Sequence, residues 1–528
     1  MDRERKEKMK KILFGLITIA LALSLSTPLP GSAAAGSYVD WLQFNNNPAH
    51  TGFNSQETVV NSGNVHLLNL MFQVTLPAIA DGAPAFLSNV STPHGLKFLV
   101  FVTSMTGHII ALDAQTGAVE WSRQVPAGTC KINLGATTCY TTSSPAIDPN
   151  RQFVYSYGLD GFVHKYKVGD GIEIVDGIWP ELATLKPFNE KGSSALSIAT
   201  ANNGTSYLYV ANSGYPGDLG DYQGHITAIN LTTGAQQVFN ANCSNQVVHF
   251  VQTPGTPDCP QVQNAIWARP GVVYNPANNR IYMVTGNGTF DPLTHNWGDT
   301  VFALNPDGSG QNGDPLDTFT PASFQALQNA DLDLGSTAPV ILPAVSGSNV
   351  AHLAVQGGKD ALLRLLNLDN LSGQGGIGHT GGEIGTPIAV PQGGMVLPTP
   401  ATWTNPANSD VWVFVTTASG IAGLKISVDG LGNPSLTPVW QTAAGGSSPI
   451  VANGVLYYAG SNLIRALDPT TGNLLWSDNR IAGIHWESPI LVNGVLYISD
   501  GSSKLTAYSL NGVKPAWIQY MYLPVTVR

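Results

Sequence analysis

Charge is what this sequence has least of. Of 528 residues only 11% are Asp, Glu, Lys or Arg, with 24 basic against 34 acidic and a formal net charge of −10. A chain so poor in Lys and Arg repels phosphate backbones, which excludes nucleic acid as a partner. Adhesion to anionic lipid is excluded on the same ground. Disorder is excluded as well, because charge is low while 43% of residues are hydrophobic. Beyond the N-terminus no apolar run approaches the ~18–20 residues of a membrane span. A helical period is also missing; the best helix candidate, Ala322 to Ala330, reads as one loop segment. Cysteines number four: Cys130, Cys139, Cys243 and Cys259. The short C-x-x-C spacings of a zinc site are absent, and no C-x-x-C-H is present to attach a c-type haem.

The N-terminus reads as a leader. Arg3, Arg5, Lys6, Lys8, Lys10 and Lys11 precede the apolar stretch Ile12 to Leu25, and Ala33-Ala34-Ala35 follow. This order predicts a secretory signal over residues 1–35, cleaved after about Ala35. Its apolar core is short for a membrane anchor, so the mature chain is expected to carry no integral span. The segment holds six basic and three acidic residues, so its removal takes the formal charge from −10 to −13. A secreted or periplasmic protein meets oxidising conditions. The two sequence-local cysteine pairs, Cys130–Cys139 and Cys243–Cys259, are therefore expected as disulfides.

What the chain does have is turns, with 57 glycines and 35 prolines. One turn recurs. Ala111-Leu112-Asp113-Ala114-Gln115-Thr116-Gly117 leads to Trp121, and Ala466-Leu467-Asp468-Pro469-Thr470-Thr471-Gly472 leads to Trp476. Ala228 to Gly234 is a third copy and Ala303 to Gly308 a shortened fourth. Weaker copies end at Gly171, Gly373, Gly430 and Gly512. Asp or Asn opens each turn by accepting backbone N–H bonds, and glycine supplies the positive φ. Upstream of the turns lie Ala83-Pro84, Ser144-Pro145, Ala338-Pro339, Thr399-Pro400, Ser448-Pro449 and Ser488-Pro489. Each unit reads as about four short strands.

Eight such units predict an all-β fold, an eight-bladed β-propeller of four-stranded blades spanning 68–528. Residues 36–67 form a lead-in, in which Trp41 to Asn54 is expected to pack on the rim. A strand around Met71–Leu76 is expected to close the ring on the last blade. The long insertions Pro216–Gly224, Ala241–Ala265, Thr289–Gly298 and Asp314–Asp333 fall in consecutive repeats and suggest one decorated face.

The repeat resembles that of the pyrroloquinoline quinone (PQQ) propellers. That family includes quinoprotein alcohol dehydrogenases, polyvinyl-alcohol-dehydrogenase-like proteins and non-catalytic assembly propellers. Thr285-Gly286-Asn287 resembles the family segment whose Asn binds calcium. Trp267 is similar to the Trp on which the quinone stacks. Asp331-Leu332-Asp333 resembles the segment carrying the catalytic aspartate. Lys359 resembles the basic residue at the quinone carbonyls. Ser213-Gly214 with Asp218-Leu219-Gly220 is similar to a segment that supplies another calcium ligand.

The resemblance thus implies Asp331, Asp333 and Lys359 in catalysis. It implies Trp267, Lys359 and Ser213 on the cofactor, and Asp218, Asn287, Asp331 and Asp333 on a metal. It implies PQQ and Ca2+ as cofactors, a small or polymeric alcohol as substrate, and an external electron acceptor. The chemistry suits these residue types. Calcium takes amide and carboxylate oxygens, a cation polarises a carbonyl, and an aspartate can remove a hydroxyl proton. Three positions depart from the family. Cys139 is followed by Tyr140 rather than a second cysteine, Asp218 stands for a Glu, and no Asn precedes Trp403. The alternative is a non-catalytic secreted propeller that binds a protein or polysaccharide at the decorated face.

Overall fold

Eight sheets follow one another along the chain in the computed structural model, which describes residues 38–125, 139–216, 218–252 and 255–517; all pair antiparallel except where Phe53–Asn54 adds in parallel to Ile450–Ala452. The expected leader over 1–35 and the Cys130 half of the first cysteine pair lie outside the described residues. Blades 1 to 7 occupy 85–124, 146–182, 190–240, 273–319, 340–389, 401–442 and 450–478. Blade 8 is built from Ile490–Val492, Val495–Asp500 and Lys504–Leu510, with Leu68–Thr75 as its fourth strand. The N-terminal strand thus closes the ring by pairing with Lys504–Leu510, as the sequence predicts. Among the described residues no helix is long and apolar enough to cross a membrane. The segment Ala322 to Ala330 does contain a short helix, Phe324–Ala330.

The repeat turns fall where the third strand of each blade ends. Asp113 accepts the Gln115 N–H at 2.9 Å, Asn230 the Thr232 N–H at 2.9 Å, and Asp468 the Thr470 N–H at 2.8 Å. Seven of the eight repeat glycines have positive φ; in blade 6 the position falls to Gly432 (φ +87°) instead of the expected Gly430. The glycine serves a second purpose that the turn alone does not reveal. Trp121 reaches into blade 2, donates its indole N–H to the Val168 carbonyl at 2.9 Å, and lies on Gly171. A Cβ there would stand 2.5 Å from the ring. Trp440 repeats the contact on Pro469 and Gly472, so tryptophan and glycine key adjacent blades together.

The lead-in is not on the rim. Trp41 exchanges two backbone hydrogen bonds with Phe86 in the first strand of blade 1. The Leu42 carbonyl accepts from Ile147 in blade 2, and Gln43 bonds Ile198 in blade 3 through both ends of its amide. The Pro48, Thr51 and Gly52 carbonyls accept from Tyr274, Thr402 and Val451 of blades 4, 6 and 7, and Asn54 donates to Leu491 of blade 8. One short segment therefore touches the first strand of seven blades. Those strands must encircle it, so they are the axial ones and the segment plugs one end of the channel. A run of Trp, Gln, Asn and His reads as a polar surface segment. Here its polar groups satisfy strand ends that would otherwise be buried unpaired.

The insertions lie between strands of blades 3 to 5. Residues 289–298 form a small hairpin, Phe290–Asp291 with Asn296–Trp297. The span 314–333 is not wholly an insertion, because Asp317–Phe319 is the fourth strand of blade 4. The Cys243–Cys259 disulfide ties the 241–265 connection.

Candidate functional site

In every blade the first strand begins, and the second ends, at the same end of the channel. At that end, opposite the lead-in, lies a cavity of about 420 Å³. All seven residues singled out from the sequence line it: Ser213, Asp218, Trp267, Asn287, Asp331, Asp333 and Lys359. Ser213 ends the second strand of blade 3, Asn287 and Lys359 follow those of blades 4 and 5, and Trp267, Asp331 and Asp333 precede first strands. Trp403, by contrast, is a core residue of blade 6.

The acidic side of the cavity is tightly interlocked. Asp333 accepts the Asn287 N–H on Oδ1 at 2.7 Å and the Lys359 ammonium on Oδ2 at 2.7 Å. Lys359 also stands 3.6 Å from Asp331 and 5.5 Å from the centre of the Trp267 ring. Burial draws the Lys359 pKa down, but the hydrogen bond and charge of Asp333 outweigh it and hold it above the ordinary value. Burial pushes Asp333 up, against the pull of the Asn287 N–H and Lys359. Behind them Asp299, held on the Leu334 N–H at 2.9 Å, is pushed up to about 7 by burial. Close backbone approach makes the arrangement possible: a Cβ on Gly335 would lie 2.3 Å from the Thr285 carbonyl carbon. Asp331, the C-cap of helix Phe324–Ala330, keeps a side chain 65% exposed to the cavity and solvent. Asp218 accepts the Tyr222 hydroxyl at 2.6 Å.

The opposite side is basic and aromatic, and sequence reasoning assigned it nothing. Arg269, fully buried, donates to the Ser193 and Thr142 carbonyls at 2.8 Å each and to the Asp81 carbonyl at 3.3 Å. It thereby joins the entrances of blades 1 to 4, and its guanidinium lies 5.5 Å from the Trp486 ring. Lys191 lies over the Tyr140 ring at 4.4 Å and near Tyr215 at 5.8 Å. Trp486 meets Trp267 edge to face at 6.2 Å. His485 and the Trp486 N–H share Asp81, at 2.8 and 2.9 Å. Glu487, wholly buried beside Asp81, is pushed up to about 7 by burial. A signal was present for these residues. The Ser-Pro repeat marks the start of each axial strand, so residues just upstream of it, such as His485-Trp486-Glu487, stand at the mouth.

Residues 94–258 and 406–523, more than half of the chain, match a PQQ-type repeat profile described as outer membrane protein assembly factor BamB. No curated protein sequence matches the chain. Among solved structures it is similar to a quinohemoprotein alcohol dehydrogenase of Pseudomonas putida HK5. The TM-score is 0.62 at 12% identity, covering 90% of this chain and 81% of that one. It is similar to a europium-containing methanol dehydrogenase, with a TM-score of 0.61 at 17% identity over 89% and 98%. A quinohemoprotein alcohol dehydrogenase from Comamonas testosteroni gives 0.60 at 13% over 90% and 81%. At such identities the likeness speaks to the fold alone.

Proposed function

The chain belongs to the PQQ-like β-propeller repeat family, and from that premise we propose that its axial cavity is the active site of a quinoprotein-type dehydrogenase. The enzyme oxidises an alcohol with PQQ and calcium and passes the electrons to an external acceptor. One observation carries the reading: Trp267, Asn287, Asp331, Asp333, Lys359, Asp218 and Ser213, from three blades, line a single cavity.

The cavity holds side chains of the types each group takes, while among the described residues no three Asp, Glu, His or Cys side chains gather into a metal-binding cluster. PQQ is flat and polyanionic, and the cavity offers the Trp267 indole with the cations Lys359, Lys191 and Arg269. Asn287 and Asp218 would offer calcium amide and carboxylate oxygens, the ligands it prefers. The quinone, when bound with calcium, supplies an electrophilic carbonyl that accepts hydride from the alcohol carbon.

The chain's own residues divide the remaining work. Both Asp333 oxygens are engaged, by the Asn287 N–H and by Lys359, so Asp333 holds Lys359 in place. Asp331 has the free carboxylate and takes the hydroxyl proton. Lys359 steadies negative charge developing nearby. The Cys243–Cys259 disulfide is consistent with an oxidising compartment, and we assign the protein to the periplasm or the medium.

The test is direct. With PQQ and calcium the purified protein should show bound quinone absorbance and reduce a redox dye with an alcohol. Asp331→Asn should retain the absorbance and lose dye reduction by about 10²-fold or more. Absence of quinone binding by the folded protein would overturn the reading in favour of a binding propeller.

A further inference from the structure

The cavity holds a second acid–base group, which the proposed oxidation leaves unused. His485 lines the cavity, faces Asp81 through Nδ1 at 2.8 Å, and keeps a side chain 66% exposed. Asp81 is buried, and its other oxygen accepts the Trp486 N–H at 2.9 Å, so the carboxylate is fixed from two sides. The imidazole lies 4.7 Å from the Trp486 ring, and the His485 N–H is held by Glu487. A carboxylate on Nδ1 keeps the proton there and leaves Nε2 as a bare acceptor. Among the described residues Nε2 meets no hydrogen-bonding partner. The same pair occurs on the open surface, where His94 Nδ1 stands 2.8 Å from Glu120 and the ring is 68% exposed. What distinguishes His485 is its place. It shares a cavity with two cations, Lys191 and Arg269, whose hydrogen bonds go to neutral groups. A base for water and a positive field for an oxyanion are the two things that ester hydrolysis needs.

We propose that the His485–Asp81 pair activates water and that the cavity hydrolyses aryl esters, whose flat ring its Tyr140, Trp267 and Trp486 walls would hold. His485 Nε2 takes a proton from water as the water oxygen bonds to the ester carbonyl carbon. The negative charge that develops on the carbonyl oxygen is met by the field of Lys191 and Arg269. The bond from that carbon to the leaving oxygen then breaks, and the leaving oxygen takes the proton back from Nε2. A carboxylic acid and a phenol or alcohol result, and the step needs no co-reactant beyond water. Asp81 is a positioning residue: it fixes the tautomer and steadies the imidazolium. The inference goes beyond the dehydrogenase reading and does not rest on it.

The experiment is hydrolysis of 4-nitrophenyl acetate by the full chain, without PQQ or calcium. His485→Ala should lower kcat/KM about 10²-fold, and Asp81→Asn about 10-fold or more, by favouring the wrong tautomer. The wild-type rate should be lost as pH falls and the ring takes a proton. Asp81 and Glu487 are the carboxyl groups that face His485, and Arg269 and Lys191 are the cations that act on Asp81. Asp81→Asn removes a negative neighbour, so it should also move the midpoint of that pH profile to lower pH; a merely structural Asp81 would leave the midpoint in place. His94→Ala is the control and should keep the full rate. An equal loss in His94→Ala and His485→Ala would mean that any exposed imidazole serves, and would overturn the proposal. A rate indifferent to His485→Ala, or no hydrolysis by the folded wild type above that of buffer, would overturn it too. An acetyl group found on His485 by mass spectrometry would make Nε2 a nucleophile and overturn the water-activating step. None of these outcomes bears on quinone binding, so the dehydrogenase reading stands or falls by its own test.

Discussion

At the closed end of the channel the chain answers its own polar groups; at the open end it leaves them for something else. The plug is the first case. His50, 1% exposed, bonds the Phe44 carbonyl at 2.7 Å through Nδ1, and its Nε2 lies 3.1 Å from both the Ser197 hydroxyl and the Val272 carbonyl. Gln43 and Asn54 are satisfied by axial strands, and of this segment only the Trp41 indole N–H is buried without a partner. The mouth is built on the same eight strands, yet it gathers Arg269, Lys191, Lys359, Asp333 and Glu487. Several of their atoms are orphaned or matched to neutral groups. The difference teaches where to look in a repeat protein. Strand ends that the chain closes itself are structural, and those it leaves charged and unmatched are where a ligand is to be sought.

The largest effect should come from the one charge at the mouth that does hold the ring together. Arg269→Leu leaves the Asp81 and Thr142 carbonyls without a donor, while the Ser193 carbonyl keeps only the Thr142 hydroxyl at 2.8 Å. At about 1–3 kcal/mol for each buried acceptor, the loss should be on the order of 4 kcal/mol in a denaturant melt. A loss below about 1 kcal/mol would mean that water takes over the bonds and that the mouth is wetter than described.

Next come two pH profiles of opposite sign. His50, lowered to about 4 by burial despite two backbone hydrogen bonds, stays neutral in the fold while the unfolded chain binds a proton below about 6.5. Stability from the plug should therefore fall as pH drops from 6.5 through 4, by about 3 kcal/mol. Glu487, raised to about 7 by burial and by Asp81, keeps its proton in the fold when the unfolded chain has lost it. Its contribution is complete below about 4.5 and fades as pH rises through 7, again by about 3 kcal/mol. The two windows overlap and offset each other in the wild type, so in melts across pH 4–8 the stability of His50→Gln relative to wild type should rise as pH falls, and that of Glu487→Gln should rise as pH climbs. The two ends would not differ electrostatically if both differences ran in the same direction with pH.

The blades are legible in the sequence because each needs the same turn, and the same residues recur at Asp113, Asn230 and Asp468. The acidic side of the mouth is legible too, since its residues fall in short segments that resemble a family's. The plug is not. Trp41 to Asn54 has no period, and its partners lie up to 437 residues away in sequence. Nothing local says that Gln43 and His50 are buried. Arg269 and Lys191 escape for a related reason. A lone cation in a repeat reads as surface, and only the ring's closure shows that it is buried without an anion. Asp314–Asp333 reads as one insertion because a three-residue strand, Asp317–Phe319, is too short to show alternation.

The smallest effect should be the most informative, because its sign separates function from stability. Asp331 sits in the left-handed region at φ +54°, just beyond the last residue of helix Phe324–Ala330. Asparagine suits that conformation at least as well as aspartate. A carboxylate at a helix C-terminus also opposes the helix dipole. Against this stands the 3.6 Å approach to Lys359, whose value is small because the Asp331 side chain is 65% exposed. Asp331→Asn should therefore leave stability within about 0.5 kcal/mol of wild type, with the balance toward stabilisation. A carboxylate kept where an amide folds as well is kept for its chemistry. A loss of 1.5 kcal/mol or more would make Asp331 a structural partner of Lys359 and move the free base elsewhere.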